Sequence, residues 1–443
     1  MDGRQKYERN GLSIAGAPFG LEKIRDYLPG GHHPIHLGHL IKDSRYRVIH
    51  KLGSGGYANV WLCRDMLSQD VAKYVALKIL MSHVSTDNCL QLRMSKKLEN
   101  LLSEKNGDTG AKYICQTKDQ FPMDGPNGSH ICFVYSILGA RVSSSVSNSF
   151  TDPDGTLKNV CLKSAEAMDF LHSHGICHGD FTPHNILFHI ARFDGLNENG
   201  IIRILGEPVK TEVRTESGET PTLPTAPKYL VYQIAWSSVN PEYLSSEPCI
   251  VDFGESFGVF NPPEDSGIPG PYRSPELMFD KAVGYSSDIW ALGCTLFEIR
   301  TGRNLFSPFN DDQEDYLIEM VQMLGPLPEP WWSVSWENRK KWFADEADSE
   351  GRVVATWEPA ALEPEEPQME YTNSVHPSVV QEARSIQEKL APGVWYLDPR
   401  DVHRDISKEE IEIFADLVGK ILRFDPKERL SARGVQDHEW FRG

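Results

Sequence analysis

The chain has 443 residues, 40% of them hydrophobic and 24% charged, a globular composition at a length that suggests two or three domains. Its formal net charge of −18 argues against non-specific nucleic-acid binding and is compatible with a basic protein partner. No run reaches the roughly 18 apolar residues of a membrane span. Met1 to Glu8 carries acids and no apolar core, so neither membrane insertion nor a targeting leader is expected.

Residues 1–45 are polar and rich in Gly, Pro and His, and are read as an N-terminal extension. Histidines 32, 33, 36 and 39 are irregularly spaced and lack Cys or acidic partners, so no metal site is expected there. Tyr46-Arg47-Val48-Ile49-His50-Lys51-Leu52 alternates as a strand and runs into Gly53-Ser54-Gly55-Gly56-Tyr57-Ala58-Asn59-Val60; a second strand, Val60 to Cys63, follows. Glycines between two strands let the backbone approach phosphates closely. Val75-Ala76-Leu77-Lys78 is a further apolar strand that ends in a lysine, either a phosphate-binding cation or a snorkelling edge residue. A helix over about Cys89 to Ser103 turns Leu98, Leu101 and Leu102 to the core. One turn before Leu98 stands Met94, and the nearby acids Glu99 and Glu104 lie off that face.

Asp124 to His130 is a turn, Ile131 to Tyr135 a strand, and Ser136-Ile137-Leu138-Gly139 its exit. The Ser-rich Val142 to Thr151 is a loop or weak helix, and Leu157 to His174 is an amphipathic helix. It leads into His178-Gly179-Asp180-Phe181-Thr182-Pro183-His184-Asn185, followed by the strand Ile186 to Phe188. Asp180 can accept a hydroxyl proton, and Asn185 stands at the offset at which such a loop holds a metal ion. An insert of about 189–248 comes next, and its Thr/Pro/Glu-rich stretch from Glu207 to Pro227 is expected to be largely extended. In Ile250-Val251-Asp252-Phe253-Gly254 the carboxylate suits a hard cation and the glycine lets the chain turn away.

Pro271-Tyr272-Arg273-Ser274-Pro275-Glu276 precedes an apolar helix that begins near Ser287-Asp288-Ile289-Trp290. The acidic run Asp311 to Asp315 opens a helix over Tyr316 to Leu324; it favours the helix dipole and could bind an arginine-rich peptide. A second insert, about 345–385, is rich in Asp, Glu and Pro. Phe424-Asp425-Pro426-Lys427-Glu428-Arg429-Leu430 lies near the end. The 8 cysteines form no C-x-x-C pair, so zinc and redox motifs are absent and buried reduced thiols are expected.

In this order the motifs resemble those of the eukaryotic protein kinases over about residues 46–441, and within them the SR-protein kinases. The closer likeness rests on Pro29-Gly30-Gly31-His32-His33-Pro34 before the first strand and on Gly125-Pro126-Asn127-Gly128-Ser129-His130-Ile131-Cys132. It rests also on the long insert before Asp252 and on the acidic run before Met323-Leu324-Gly325. The loop at 178–185 is also similar to that of small-molecule phosphotransferases, but that class lacks counterparts of Glu276, Asp288 and Arg429.

The resemblance implies an α+β, bilobal fold, with a mainly β N-lobe at 46–138 carrying one regulatory helix and a mainly α C-lobe at 139–443 holding both inserts. It implies ATP and Mg2+. Gly53, Gly55, Val60 and Lys78 would serve the nucleotide, Ser136 and Leu138 the hinge, Asn185 and Asp252 the metal, and Asp180 the acceptor hydroxyl. Asp288 would hold the catalytic loop, Glu276 would pair with Arg429, and Asp315 would belong to a substrate-docking helix for Arg/Ser-rich proteins. A monomer in cytoplasm or nucleus is expected. Met94 stands where the resemblance implies a glutamate paired with Lys78, so either Glu99 serves through a shifted helix or the lysine lacks its usual partner. With Gly179 and Thr182 this departure leaves a pseudokinase or sluggish kinase as the alternative. A loop with Gly179 in place of arginine cannot read a phosphate on the activation segment, so activity independent of phosphorylation there is expected.

Overall fold

The computed structural model describes residues 10–68, 74–103, 109–193, 195–264, 266–308, 312–349, 352–356, 385–391 and 406–442. Glu104, Asp311 and most of the second insert lie outside the described residues. The early strands are β1 (Leu12–Ile14), β2 (Leu40–Ile41), β3 (Tyr46–Ser54), β4 (Ala58–Asp65), β5 (Tyr74–Leu80), β6 (Thr117–Gly125) and β7 (Gly128–Tyr135). They are followed by β8 (Leu138–Arg141), β9 (Ile176–Cys177), β10 (Ile186–Ile190), β11 (Lys210–Thr215), β12 (Tyr229–Val231), β13 (Leu244–Ile250) and β14 (Phe257–Gly258). The principal helices are α1 (Leu90–Ser103), α2 (Pro153–Ser173), α3 (Glu198–Leu205), α4 (Pro275–Asp280), α5 (Tyr285–Thr301), α6 (Gln313–Leu324) and α7 (Lys408–Ile421). The chain divides into two units, one drawn from Met1–Asn106, Ile114–Ala140 and Leu187–Val251, the other from Gly107–Tyr113, Arg141–Ile186 and Asp252–Gly443.

The first unit is built on an antiparallel sheet of order β2-β3-β4-β5-β7-β6. Side chains alternate between its faces. One face buries Tyr46, Val48, Trp61, Cys63, Val75, Leu77 and Val134 together with Ile35 and Ile41 of the extension. The opposite face carries Ile49, Leu62 and Tyr74, and these pack on Phe193, Ile201, Leu205, Ile234 and Val239. With both faces covered, β5 reads as a continuous apolar run rather than an alternating one.

The insert therefore groups with the first unit. Ahead of the Glu207 to Pro227 stretch, which holds β11 and turns, it carries a helix that the sequence pattern does not announce. Asn197 caps α3 by accepting from the Gly200 amide at 2.9 Å, and Ile201 and Leu205 fall one turn apart on the buried side. Gly206, at φ +88°, ends the helix in a conformation that glycine adopts without strain. Further along the insert, β11 pairs with β12 and with β1, in register Leu12↔Thr215, so the N-terminal extension and the insert share a small sheet. Beneath it lies a core of Leu12, Ile24, Tyr27, Val213 and Leu230. Lys51 and Glu22 form a fully buried ion pair there, and the Tyr27 hydroxyl donates to Glu22 at 2.6 Å.

The second unit is mainly helical. Asp152 caps α2 by accepting from the Gly155 amide at 3.0 Å. α5 is buried along most of its length, its polar Asp288, Thr295 and Arg300 included. Trp290 stacks on Phe306 and Phe424, and Phe414 of α7 stacks on Phe297 and Trp440. Arg429 donates to both carboxylate oxygens of Glu276, at 2.6 and 2.7 Å, the pairing expected from the sequence.

Candidate active site

In the first unit, the glycine-rich stretch is the turn of the β3–β4 hairpin. Ser54 faces Asn59, Gly53 faces Val60, and the Gly55 amide donates to the Ala58 carbonyl at 2.9 Å. Gly55 and Gly56 are exposed, and a side chain at Gly56 would meet nothing within 4 Å, which leaves the turn's backbone open to a ligand. Lys78 lies opposite Val60 on one side and Phe133 on the other. Directly opposed residues of antiparallel strands share a face. The half-buried Val60 and Lys78 thus stand on the face that the insert and α1 cover at its two ends. Tyr135 ends β7, Ser136 is half-buried, and Leu138 opens β8.

The buried side of α1 carries Gln91, Met94, Ser95 and Leu98. Leu98 is buried as expected, whereas Leu101 and Leu102 are only half-buried. Glu99 is exposed, so a shifted helix does not turn it inwards. A neutral amide takes the buried polar place instead: Gln91 Nε2 donates to the Tyr135 hydroxyl at 3.0 Å, and Ser95 donates to Thr117 at 2.7 Å. The sequence reading looked for an acid and passed over Gln91, although it stands two turns before Leu98.

In the second unit, β9 delivers the chain to His178. Asp288 of α5, 2% exposed, accepts from the His178 amide at 2.7 Å and the Gly179 amide at 3.0 Å, and His172 approaches it at 3.1 Å. Thr295 donates to the Phe181 carbonyl at 2.9 Å. The loop backbone is thereby tied to one buried helix. Asn185 Nδ2 donates to both the carbonyl and the carboxylate Oδ2 of Asp180, each at 2.8 Å. The other carboxylate oxygen, Oδ1, is buried and has no hydrogen-bond partner. An acceptor left open in this way fits an incoming hydroxyl donor.

Burial pushes the Asp180 carboxyl up to about 7; the charges of Asp252 and Glu255 push the same way, against the Asn185 hydrogen bond. The exposed Asp252 holds φ +63°. Because Asn185 uses its amide nitrogen on Asp180, its amide oxygen is left for a cation. That oxygen and the Asp252 carboxylate are hard ligands of the kind Mg2+ takes one or two at a time, keeping water and phosphate for the rest. Among the described residues no cluster of three His, Cys, Asp or Glu side chains forms a dedicated metal cage.

One departure from the common pattern has a physical cause. Gly179 holds φ +77°, and a Cβ there would lie 2.3 Å from the Glu255 carbonyl oxygen, so arginine does not fit. Thr182 is buried, and its carbonyl accepts from the Asn185 amide at 3.0 Å. Of the acidic run, Asp312 caps α6 by accepting from the Glu314 and Asp315 amides, and Glu314 accepts from Trp336 and Asn338. Asp315 is half-buried on the first turn of α6.

The sequence matches the protein kinase domain family over residues 46–206 and 245–441, and the gap falls within the insert. It is 29% identical to "Serine/threonine-protein kinase SRPK" of Physarum polycephalum over 69% of this chain and 73% of that one. It is 27% identical to a serine/threonine protein kinase of Aspergillus fumigatus over 95% and 90% of the two chains. It is 24% identical to "Protein kinase dsk1" of Schizosaccharomyces pombe over 69% and 71%.

Proposed function

The chain belongs to the protein kinase family and, within it, to the SR-protein kinases; on that premise we propose that it transfers the γ-phosphoryl group of ATP to serine hydroxyls in Arg/Ser-rich protein segments. The observation that carries this reading is the Asp180–Asn185 pair, in which one buried carboxylate oxygen is left without a donor. Asp180 would orient the serine hydroxyl and accept its proton. Gly53 and Gly55 would present backbone amides to the phosphates, and Lys78 would neutralise them, while Val60, Ser136 and Leu138 would receive the nucleotide's base. Asn185 and Asp252 would hold Mg2+. MgATP, when bound, supplies the phosphoryl group and the charge that screens it.

A preference for basic substrates is supported by the net charge of −18, by Asp315 at the start of α6 and by the name of one relative. The presence of Lys78, Asp180, Asn185 and Asp252, together with relatives named as kinases, does not favour a non-catalytic scaffold. Among the described residues no helix is long and apolar enough to cross a membrane, and the 8 cysteines are free thiols; action in the cytoplasm or nucleus is proposed on that basis. The test is transfer of radiolabel from ATP to an Arg/Ser peptide, to the same peptide with lysine for arginine, and to an acidic serine peptide. Transfer to the first alone is expected. Equal labelling of the acidic peptide would overturn the substrate class, and labelling of none by wild-type protein would overturn the activity.

A further inference from the structure

The ribbon of β9 and β14 pairs Ile176 with Gly258 and Cys177 with Phe257. Continuing that register sets His178 against Ser256 and Gly179 against Glu255. At the first of these positions the Ser256 hydroxyl, 1% exposed, donates to the His178 carbonyl at 2.7 Å. At the second, the Glu255 carbonyl comes so close that only a glycine fits opposite it. The His178 amide is held from the other side by Asp288, and its ring packs on Phe181 and Phe253. Glycine is the residue with most backbone freedom to lose. Placed immediately before Asp180, it would leave the base loosely held unless the preceding peptide were fixed at both ends.

We propose that Ser256 is a positioning residue: its hydroxyl, donating to the His178 carbonyl, fixes the peptide that carries Gly179 and Asp180 in the pose for transfer. The proposal rests on Asp180 being the group that orients the acceptor hydroxyl. It gives Ser256 the role of a permanent donor, not of a phosphate carrier, because the hydroxyl is buried and already engaged. The start of the activation segment is then held on the loop without any modification.

The experiment is steady-state kinetics of the full chain with MgATP and a serine acceptor peptide, for wild type, Ser256→Ala, Ser256→Cys and Ser256→Thr, beside thermal melts and intact mass. Loss of one buried donor is expected to lower kcat about tenfold in Ser256→Ala, with KM for both substrates within about twofold of wild type. Ser256→Thr, which restores the hydroxyl, recovers most of the rate, and the near-isosteric but weakly donating Ser256→Cys falls between. If Ser256→Ala does not fold, the Cys and Thr variants decide. Overturning results are kcat within twofold of wild type in Ser256→Ala and Ser256→Cys, a Thr variant as slow as the Cys one, or phosphate on Ser256 in the active enzyme. A wild-type chain that labels no peptide removes the kinase reading itself, a different outcome from an active wild type with insensitive variants.

Discussion

Asn185 holds Asp180 through a single amide nitrogen that donates at 2.8 Å to both its carbonyl and its carboxylate, which fixes the acid and leaves its other oxygen open. Replacing Asp180 with Asn is expected to lower kcat by roughly 10²–10⁴-fold, the range for loss of a positioned acid–base group. Nucleotide affinity, read with a fluorescent ATP analogue, should change by no more than a few-fold. A variant that keeps a tenth of wild-type turnover would exclude Asp180 as the group that accepts the proton.

The environment of Asp180 also sets a pH dependence. Its carboxyl is raised to about 7 by burial, with Asp252 and Glu255 contributing. It must be ionised to accept a proton, so kcat/KM falls as pH falls. A cation at Asp252 and Asn185 opposes the neighbouring negative charge and moves the acidic limb down. The limb is therefore expected above the ordinary carboxylate range, and it should shift to lower pH as Mg2+ is raised. A limb at pH 4 that Mg2+ does not move would contradict this account.

The same shift has a consequence for stability. A carboxyl raised in the folded state contributes stability that is full below its unfolded value near 4 and is lost as pH rises through about 7. In metal-free protein, Asp180→Asn should raise stability by ~1–2 kcal/mol at pH 8.5, where the native carboxylate is charged. Near pH 4, where the carboxyl is protonated in the folded state and largely so in the unfolded chain, the two proteins should be nearly equal. Urea unfolding at both values measures the difference, and the same gain at each pH would assign it to something other than charge.

Restoring arginine at position 179 should harm the enzyme and not make it phosphate-regulated. Gly179 sits at φ +77°, where an L residue costs about 1–2 kcal/mol, and its Cβ would press into the Glu255 carbonyl. Gly179→Ala and Gly179→Arg are both expected to lose at least tenfold in kcat, and treatment of Gly179→Arg with an activating kinase should not recover it. Wild type should keep its activity after phosphatase treatment. An active, phosphate-dependent Gly179→Arg would show that the loop has room the structure does not provide.

Short motifs were legible because their chemistry is local. The glycine hairpin, Lys78 on its strand, Asp180 with Asn185, and Asp252 at its turn each need only a few neighbouring residues to be recognised. What the sequence hid depends on distant partners. Leu12 pairs with Thr215, and no local pattern shows that the extension and the insert complete one sheet. Gln91 was missed because an acid was sought on the buried face of α1, where the fold places an amide that donates to the Tyr135 hydroxyl. The acidic run reads both as a helix start and as a peptide site, and only the hydrogen bonds single out Asp312 as the cap.

Helix α3 was hidden by the Pro- and Thr-rich residues that follow it, and it gives the sharpest test of the insert. Ile201 is 0% and Leu205 6% exposed, packed with Leu62 and Tyr74 of the sheet, whereas Arg203 between them is exposed. Ile201→Ala should therefore cost about 2–5 kcal/mol, the loss for a large aliphatic side chain cut back in a core. Arg203→Ala should fall within about 0.5 kcal/mol of wild type. An extended, solvated insert predicts the same small effect for both, because neither side chain would then be buried. Urea denaturation of the two variants separates these cases. A large loss confined to Ile201→Ala would also make the insert part of the support for the sheet that carries Lys78, so the variant's turnover should fall at temperatures where wild type is still fully active.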